Sequence, residues 1–584
     1  MARSADGERG GDARRALVMG LYAAVATGIF YGFGVYSQAL KHQFGLTQMQ
    51  ISSINTLPYL LGLVSPIFGP AVRKFGERAV LCLGVCFACG SQAGIYVVSA
   101  IHPDAIRHRS PTIILVLFYC VTYLGIQCFT SVAFPIPVKH WPVNRAVTTA
   151  AVKSFVGLGG ISVSEFYRTL FGRPTRDPGA LRCLLLWSGV NLLCATIAIV
   201  AMPARLGRLH TSAPAVGNDM VVLAPPAEPK RALHAVVVEI AVLGMLSIVT
   251  PLMPDGAAHD AMVALMVGMA LLPIALALGV GRKRGALLLD MPGSASVPLA
   301  GESAEAPPPP PPVARQQTEA LQQFTFVEMV RTPEAWLLWY AGTVLIGAGG
   351  FIVTQVSFII HAAGAESTFR GHAVTSAVTI FSASNLLGRL AFPLLSDALF
   401  ARRGRARPWM VAAIQLTMAT AQLLFLLLAS PACAHRSGAQ SALILLASAL
   451  GGLSFGAIWP HLVILASEIF GSTHLTTNYL FLDGGGGAIG NVVLGALVPS
   501  IIYQRALNRA MPTAGGLFDA AGAAGGGGAD SKTCVGPACF APTHVIIASL
   551  CAIGVLASAA LAVRTTPLYR AMAKGAGAGG TARH

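Results

Sequence analysis

Lys153, Arg389 and Asp483 each fall inside a long apolar stretch of the chain, about seven or eight residues from one end. An ionisable side chain inside a bilayer costs several kcal/mol unless it is paired or faces water. Two cations and an acid in such places therefore mark a candidate solute path or gate. At 1.5 Å per residue, all three lie about 11 Å into their helices, at a shared level. The chemistry on offer is reversible charge pairing and solute binding. With two of the three charges positive, the set leans towards an anionic or zwitterionic small solute.

Residues suited to bond-making chemistry are scattered. There is no HExxH and no phosphate loop with its Lys, which argues against ATP-driven pumping by this chain. A membrane-embedded enzyme would need clustered His or acids at one membrane face, so no enzymatic activity and no cofactor are expected. Cys82, Cys86 and Cys89 share a helix without His or carboxylate partners, and apolar packing explains them better than a metal site. His461, after Trp459-Pro460, is read either as a proton carrier or as a packed neutral histidine. Glu165 and Arg168, three apart, suit a local ion pair. Glu239 is expected outside any transport path, and Glu468 is expected to pair with a cytoplasmic Arg. Cys534 and Cys539 have the option of a small disulfide in an oxidising compartment.

The elements that must position these residues follow from composition. Of 584 residues 54% are hydrophobic and only 11% charged, against about a quarter charged in soluble domains. A soluble enzyme and a disordered chain are both excluded. A spanning helix needs roughly 20 mostly apolar residues. Fourteen stretches qualify: 16–36, 51–72, 79–100, 112–134, 146–168, 182–202, 232–253, 258–281, 335–360, 372–397, 408–430, 440–466, 476–502 and 544–563. The net charge of +16 would suggest nucleic acid in a soluble protein. Here roughly two thirds of the 40 Lys and Arg fall in the segments that share a side with the N-terminus. The positive-inside rule then places both termini in the cytoplasm, with the lipid bilayer rather than nucleic acid as the partner of the charge.

Two polar segments interrupt the helices. Residues 203–231 carry Pro225, Pro226 and Pro229; residues 282–334 carry Arg282-Lys283-Arg284 and a proline run from Pro307 to Pro312, extended like a spacer. The expected organisation is all-α and polytopic: a six-helix bundle over 1–205, an inserted helical hairpin with its Pro-rich linker over 206–334, and a second six-helix bundle over 335–584. Paired six-helix halves are a common plan for secondary transporters, with the solute site between them. The two halves also echo one another. Lys153 is followed by Gly157-Leu158-Gly159-Gly160, and Asp483 by Gly484-Gly485-Gly486-Gly487, in the fifth helix of each half.

The loop Gly69-Pro70-Ala71-Val72-Arg73-Lys74-Phe75-Gly76-Glu77-Arg78 resembles the major facilitator signature, with Arg73 where that signature has Asp. The corresponding loop of the second half has Asp397, then Arg402-Arg403-Gly404-Arg405. Further stretches resemble the nodulin-like branch of that superfamily. They include Tyr31-Gly32-Phe33-Gly34-Val35-Tyr36-Ser37, Lys153-Ser154-Phe155-Val156-Gly157, Gly388-Arg389-Leu390 with Ser396-Asp397, and Trp459-Pro460 with Ser467-Glu468-Ile469-Phe470-Gly471. Cys534-Val535-Gly536-Pro537-Ala538-Cys539-Phe540 and Val563-Arg564-Thr565 extend the likeness to the last helix, so it covers nearly the whole chain.

The resemblance implies a twelve-helix transport core, plus the inserted hairpin, that moves a small solute; a solute sensor on the same frame is the alternative. It further implies that the fifth helix of each half lies beside the second helix of the other. Arg73 is then expected to pair with Asp483, and Asp397 with Lys153, as a charge-reversed inner gate. Snorkelling to the inner headgroups is the competing role for Lys153. Arg389 is expected to bind Asp397 or a solute anion. Tyr31, on the first helix, is expected to line the cavity.

Overall fold

The computed structural model describes residues 2–28, 33–107, 110–142, 144–171, 178–203, 230–250, 253, 256–278, 323–365, 367–368, 373–428, 430, 433, 436–510 and 534–578. Tyr31 and most of the two polar segments lie outside the described residues. Most of those described are helical, and no strand occurs among them.

The first half contains α1 (Ala2–Thr27), α2 (Phe33–Phe44), α3 (Gln48–Thr56), α4 (Phe68–Phe75), α5 (Glu77–Tyr96), α6 (Pro111–Ala133), α7 (Pro135–His140), α8 (Arg145–Phe171) and α9 (Arg182–Ala201). A 3-10 segment, Leu57–Ile67, joins α3 to α4. The inserted hairpin is α10 (Lys230–Val249), α11 (Ala257–Ala270) and the short α12 (Leu272–Leu278). The second half contains α13 (Phe326–Val330), α14 (Pro333–Ala362), α15 (Ala373–Arg403), α16 (Pro408–Leu428), α17 (Ser437–Ile469), α18 (Leu475–Leu480), α19 (Val498–Ala510) and α20 (Ala541–Ala578). Two π-helical segments, Phe481–Gly485 and Gly490–Leu497, lie between α18 and α19.

Among the described residues, eleven helices are long and apolar enough to cross a membrane. The other three expected stretches, 16–36, 146–168 and 232–253, each include residues whose backbone or side chain lies outside the described set. Local signals set the helix starts. Thr325 and Glu328 form a reciprocal capping box on α13, and Thr332 caps α14, where Pro333 takes the first-turn position that needs no N–H. Hydrogen bonds from Thr325 hold the Glu328 carboxyl below its ordinary pKa. Proline also sits inside helices at Pro393, Pro460 and Pro567, as membrane bundles tolerate. Large apolar side chains such as Leu63, Leu117, Val200, Leu556 and Val563 point outward, an exterior that only lipid would solvate well.

Two seams join the halves, as the resemblance implies. On one flank α8 packs on α15; on the other, segment Leu57–Ile67 packs on Phe481–Gly485. The second seam is a backbone-to-backbone contact. Ser65 Oγ donates to the Leu480 carbonyl at 2.9 Å, and a Cβ built on Gly62 would strike the Gly484 carbonyl. A Cβ on Gly484 would in turn strike Ser65 Oγ. The hairpin covers the first seam, with α10 against both α8 and α15.

Gly484→Val should therefore splay the glycine seam. The expected cost is about 1–3 kcal/mol of overpacking, read as a lowered thermal midpoint of the detergent-purified protein, while Gly487→Ala, with open space around its Cβ position, should leave the midpoint nearly unchanged.

Candidate functional site

The centre of the site is an ion pair between the two fifth helices. Lys153 of α8 places Nζ 3.2 Å from Asp483 Oδ1, and both side chains are withdrawn from solvent, at 5% and 11% exposure. Tyr479 completes a triangle: Lys153 Nζ donates to its hydroxyl at 2.5 Å, and the hydroxyl donates to Asp483 Oδ1 at 2.5 Å. Tyr479 and Asp483 are four residues apart, one turn along a helix, so they share a face. A π-helical turn begins at Phe481, between them; such turns recur at functional sites.

Aromatic rings close around the ammonium. Its nitrogen lies 3.9 Å from the Phe134 centroid and 5.2 Å from those of Trp459 and Tyr479. Ring faces carry negative electrostatic potential, so they replace part of the lost hydration. The Trp459 indole Nε1 is buried without a hydrogen-bond partner among the described residues.

Arg389 of α15 is 1% exposed. It donates through Nη1 to the Lys153 carbonyl oxygen and through Nε to Asn385 Oδ1 at 3.3 Å. Its guanidinium thus ties α15 to α8 one residue's backbone away from the ion pair.

The expected pairings are different in the structure. Arg73 approaches Thr477 Oγ1 at 3.4 Å instead of Asp483, because Asp483 lies six residues further along its helix, about 9 Å deeper. Asp397 pairs at 2.5 Å with Arg407 instead of Lys153. It lies eight residues beyond Arg389, about 12 Å nearer the helix end, so it cannot share a level with Lys153. Arg389 likewise does not engage Asp397.

Asp397 belongs to a second network at that end of the bundle. Arg407 Nε also donates to Glu468 at 2.9 Å, and Tyr569 donates to the other Glu468 oxygen at 2.9 Å. Arg407 Nη1 is 3.4 Å from Ser396 Oγ. Burial opposes the Arg407 charge, but Glu468 and Asp397 outweigh it and hold the guanidinium above its ordinary pKa. The Glu468–Arg pairing is the one expected from sequence. At the same end of the other seam, burial, Arg73 and Lys139 push His474 below the ordinary histidine value.

Glu165 and Arg168 approach at 3.4 Å as the spacing predicts, but His259 of α11 joins them at 3.0 Å from Glu165. His461 is fully buried and bonded through Nδ1 to the Ala457 carbonyl oxygen at 2.7 Å. Lys153 does not snorkel; its ammonium points to Tyr479 and Asp483. Cys534 and Cys539 are joined, with Cα atoms 6.0 Å apart. Sequence reasoning missed Tyr479, Phe134, Asn385, Arg407 and Tyr569. Of these, only Tyr479 had a clear signal, its four-residue spacing from Asp483.

Removing one partner of a buried ion pair leaves the other uncompensated, at a cost of about 3–5 kcal/mol. Lys153→Met and Asp483→Leu should each lower the thermal midpoint sharply, whereas the double variant should lose much less than their sum. Additive losses in this cycle would mean that the two charges do not interact.

Residues 15–276 match the family model described as Nodulin-like. Over 579 residues the chain is 22% identical to Protein NUCLEAR FUSION DEFECTIVE 4 of Arabidopsis thaliana, covering 95% of this chain and 89% of that protein. Among solved structures it is similar to the major facilitator superfamily proton:xylose symporter XylE bound to 6-bromo-6-deoxy-D-glucose. That match has a TM-score of 0.50 and 11% identity, and covers 93% of this chain and 94% of the other. At such identity the likeness is one of fold. Residues 15–276 thus resemble the nodulin-like family, and the chain is a multi-pass membrane protein that shares its fold with the major facilitator superfamily symporter.

Proposed function

We propose that the protein is a secondary transporter that moves a small solute across a membrane by alternating access. The observation that carries this reading is the Lys153–Asp483 pair. It joins the fifth helices of both halves, so a rocking of one half against the other must stretch or break it. A pair made in one state and lost in another biases the equilibrium between them. In this reading Lys153, Asp483 and Arg389 form the gate and solute contacts. Arg73, beside Thr477 at one end of the glycine seam, guards the inner side, with Asp397 as its counterpart on the other flank. Tyr31 is assigned to the cavity wall from its place on the first helix.

The symporter that shares this fold is bound to a halogenated glucose, so the fold accommodates small solutes. Here the cations Lys153 and Arg389, beside the Trp459 indole, favour a solute with at least one anionic group. The excess of basic residues on the N-terminal side of the membrane supports cytoplasmic N- and C-termini. We assign the site a role in solute movement and not an enzymatic one.

Comparing uptake across many solutes, in cells with and without the protein, identifies the cargo; flux is then measured in proteoliposomes. Binding of that solute without flux would overturn the carrier reading in favour of a sensor. For the gate, Lys153→Asp and Asp483→Lys should each lower uptake by about tenfold or more. The combined swap should recover part of it, and no recovery would count against the pairing as a gate.

A further inference from the structure

The inserted hairpin contains a buried acid that the site above does not use. Glu239 stands halfway along α10, on the face formed by Leu233, Val236, Ile240, Leu243 and Ser247, all buried. The opposite face, with Val238, Val242, Met245 and Val249, is exposed. Glu239 is therefore turned into the protein at mid-span, 8% exposed, and its Oε1 is buried without a hydrogen-bond partner among the described residues.

Among the titratable groups, Tyr22 of α1 interacts with it electrostatically. Tyr22 donates its hydroxyl hydrogen to the Ala270 carbonyl oxygen at 2.8 Å. The charged groups on the elements packed against α10 are engaged elsewhere. On α8, Lys153 binds Asp483 and Arg168 binds Glu165, while Arg145 stands at the helix start. On α15, Arg389 binds the Lys153 carbonyl, Asp397 binds Arg407, and Arg402 and Arg403 are exposed at the helix end. On α11, His259 contacts Glu165 and Asp260. Lys230, Arg231 and His234 of α10 itself lie at its start, more than a helical turn from Glu239.

A carboxylate in such a place has little contact with water and no counter-ion among the described residues, whereas a protonated carboxyl is neutral. A metal cation would need several oxygen ligands, and the Tyr22 hydroxyl of α1 is bonded to the Ala270 carbonyl. We propose that Glu239 is a proton-binding site in the inserted hairpin, filled while α10 is packed against the two halves and emptied when that packing opens. The inference stands apart from the transport reading, because it is tested without flux.

Thermal midpoints of the full-length purified protein and Glu239→Gln are compared as a function of pH. The glutamine mimics the neutral acid, so the two should coincide at acid pH. Wild type should fall progressively below the variant as the pH rises through and beyond the ordinary carboxyl range. A difference that is constant with pH would overturn the proposal, as would one that sodium shifts, which would mark a metal-cation site. A hydrophobic carbodiimide, which modifies protonated carboxyls, supplies a second readout on the wild type. Peptide mapping should find the adduct at Glu239 at acid and neutral pH and a loss of it at alkaline pH. If Glu239→Gln does not fold, absence of that adduct at every pH overturns the proposal by itself.

Discussion

Everything around the site answers one electrostatic demand: a cation and an anion have been taken out of water at the junction of two bodies. Desolvating an ion pair is repaid only when geometry is good and the remaining hydrogen-bonding capacity is filled. Tyr479 supplies that filling by standing between Lys153 and Asp483 as acceptor and donor at once. Phe134 and Trp459 bring ring faces to the ammonium, and Arg389 fixes the backbone from which it projects. Elements of both halves are committed to a single positive charge. The second network, around Arg407, meets the same demand inside one half, where its partners need never separate.

The seams obey a different constraint, the absence of a hydrophobic force between helices in lipid. Packing must then come from close approach. At Gly62 and Gly484 the backbones themselves meet, with Ser65 bridging to the Leu480 carbonyl. The glycine run after Asp483, read first as an echo between the halves, has this local use. It lets the helix carrying the acid approach the opposite half closely.

Much of this frame was legible in the residues. Apolar runs of spanning length marked the helices, and the three charges inside them marked where the halves meet. Lys153, Arg389 and Asp483 do converge: Lys153 binds Asp483, and Arg389 binds the Lys153 carbonyl. What failed was pairing. Arg73 and Asp397 were assigned partners from helix adjacency, but two adjacent helices offer many levels. A difference of six to eight residues separates the expected partners by about 9–12 Å. Arg407, the true partner of Asp397, sits in a loop whose approach no periodicity encodes. Phe134 and Trp459 looked like any aromatic residues in a membrane helix, since their use depends on a lysine distant in the chain. Depth along the helix was readable; rotation about the axis was not read, although the four-residue spacing of Tyr479 and Asp483 carried that signal.

The hairpin makes the two flanks unequal towards the bilayer. On one side α10 lies over the contact between α8 and α15, so acyl chains meet Val238, Val242 and Met245 of the hairpin and not that contact itself. On the other side Leu57, Leu60, Leu63, Val64 and Ile67, borne on the glycine seam, face outward without such a cover. Lipid is thus part of the solvent shell of one joint and held off the other. Changes in acyl-chain length or saturation reach the first directly, and the second only through an intervening layer of protein.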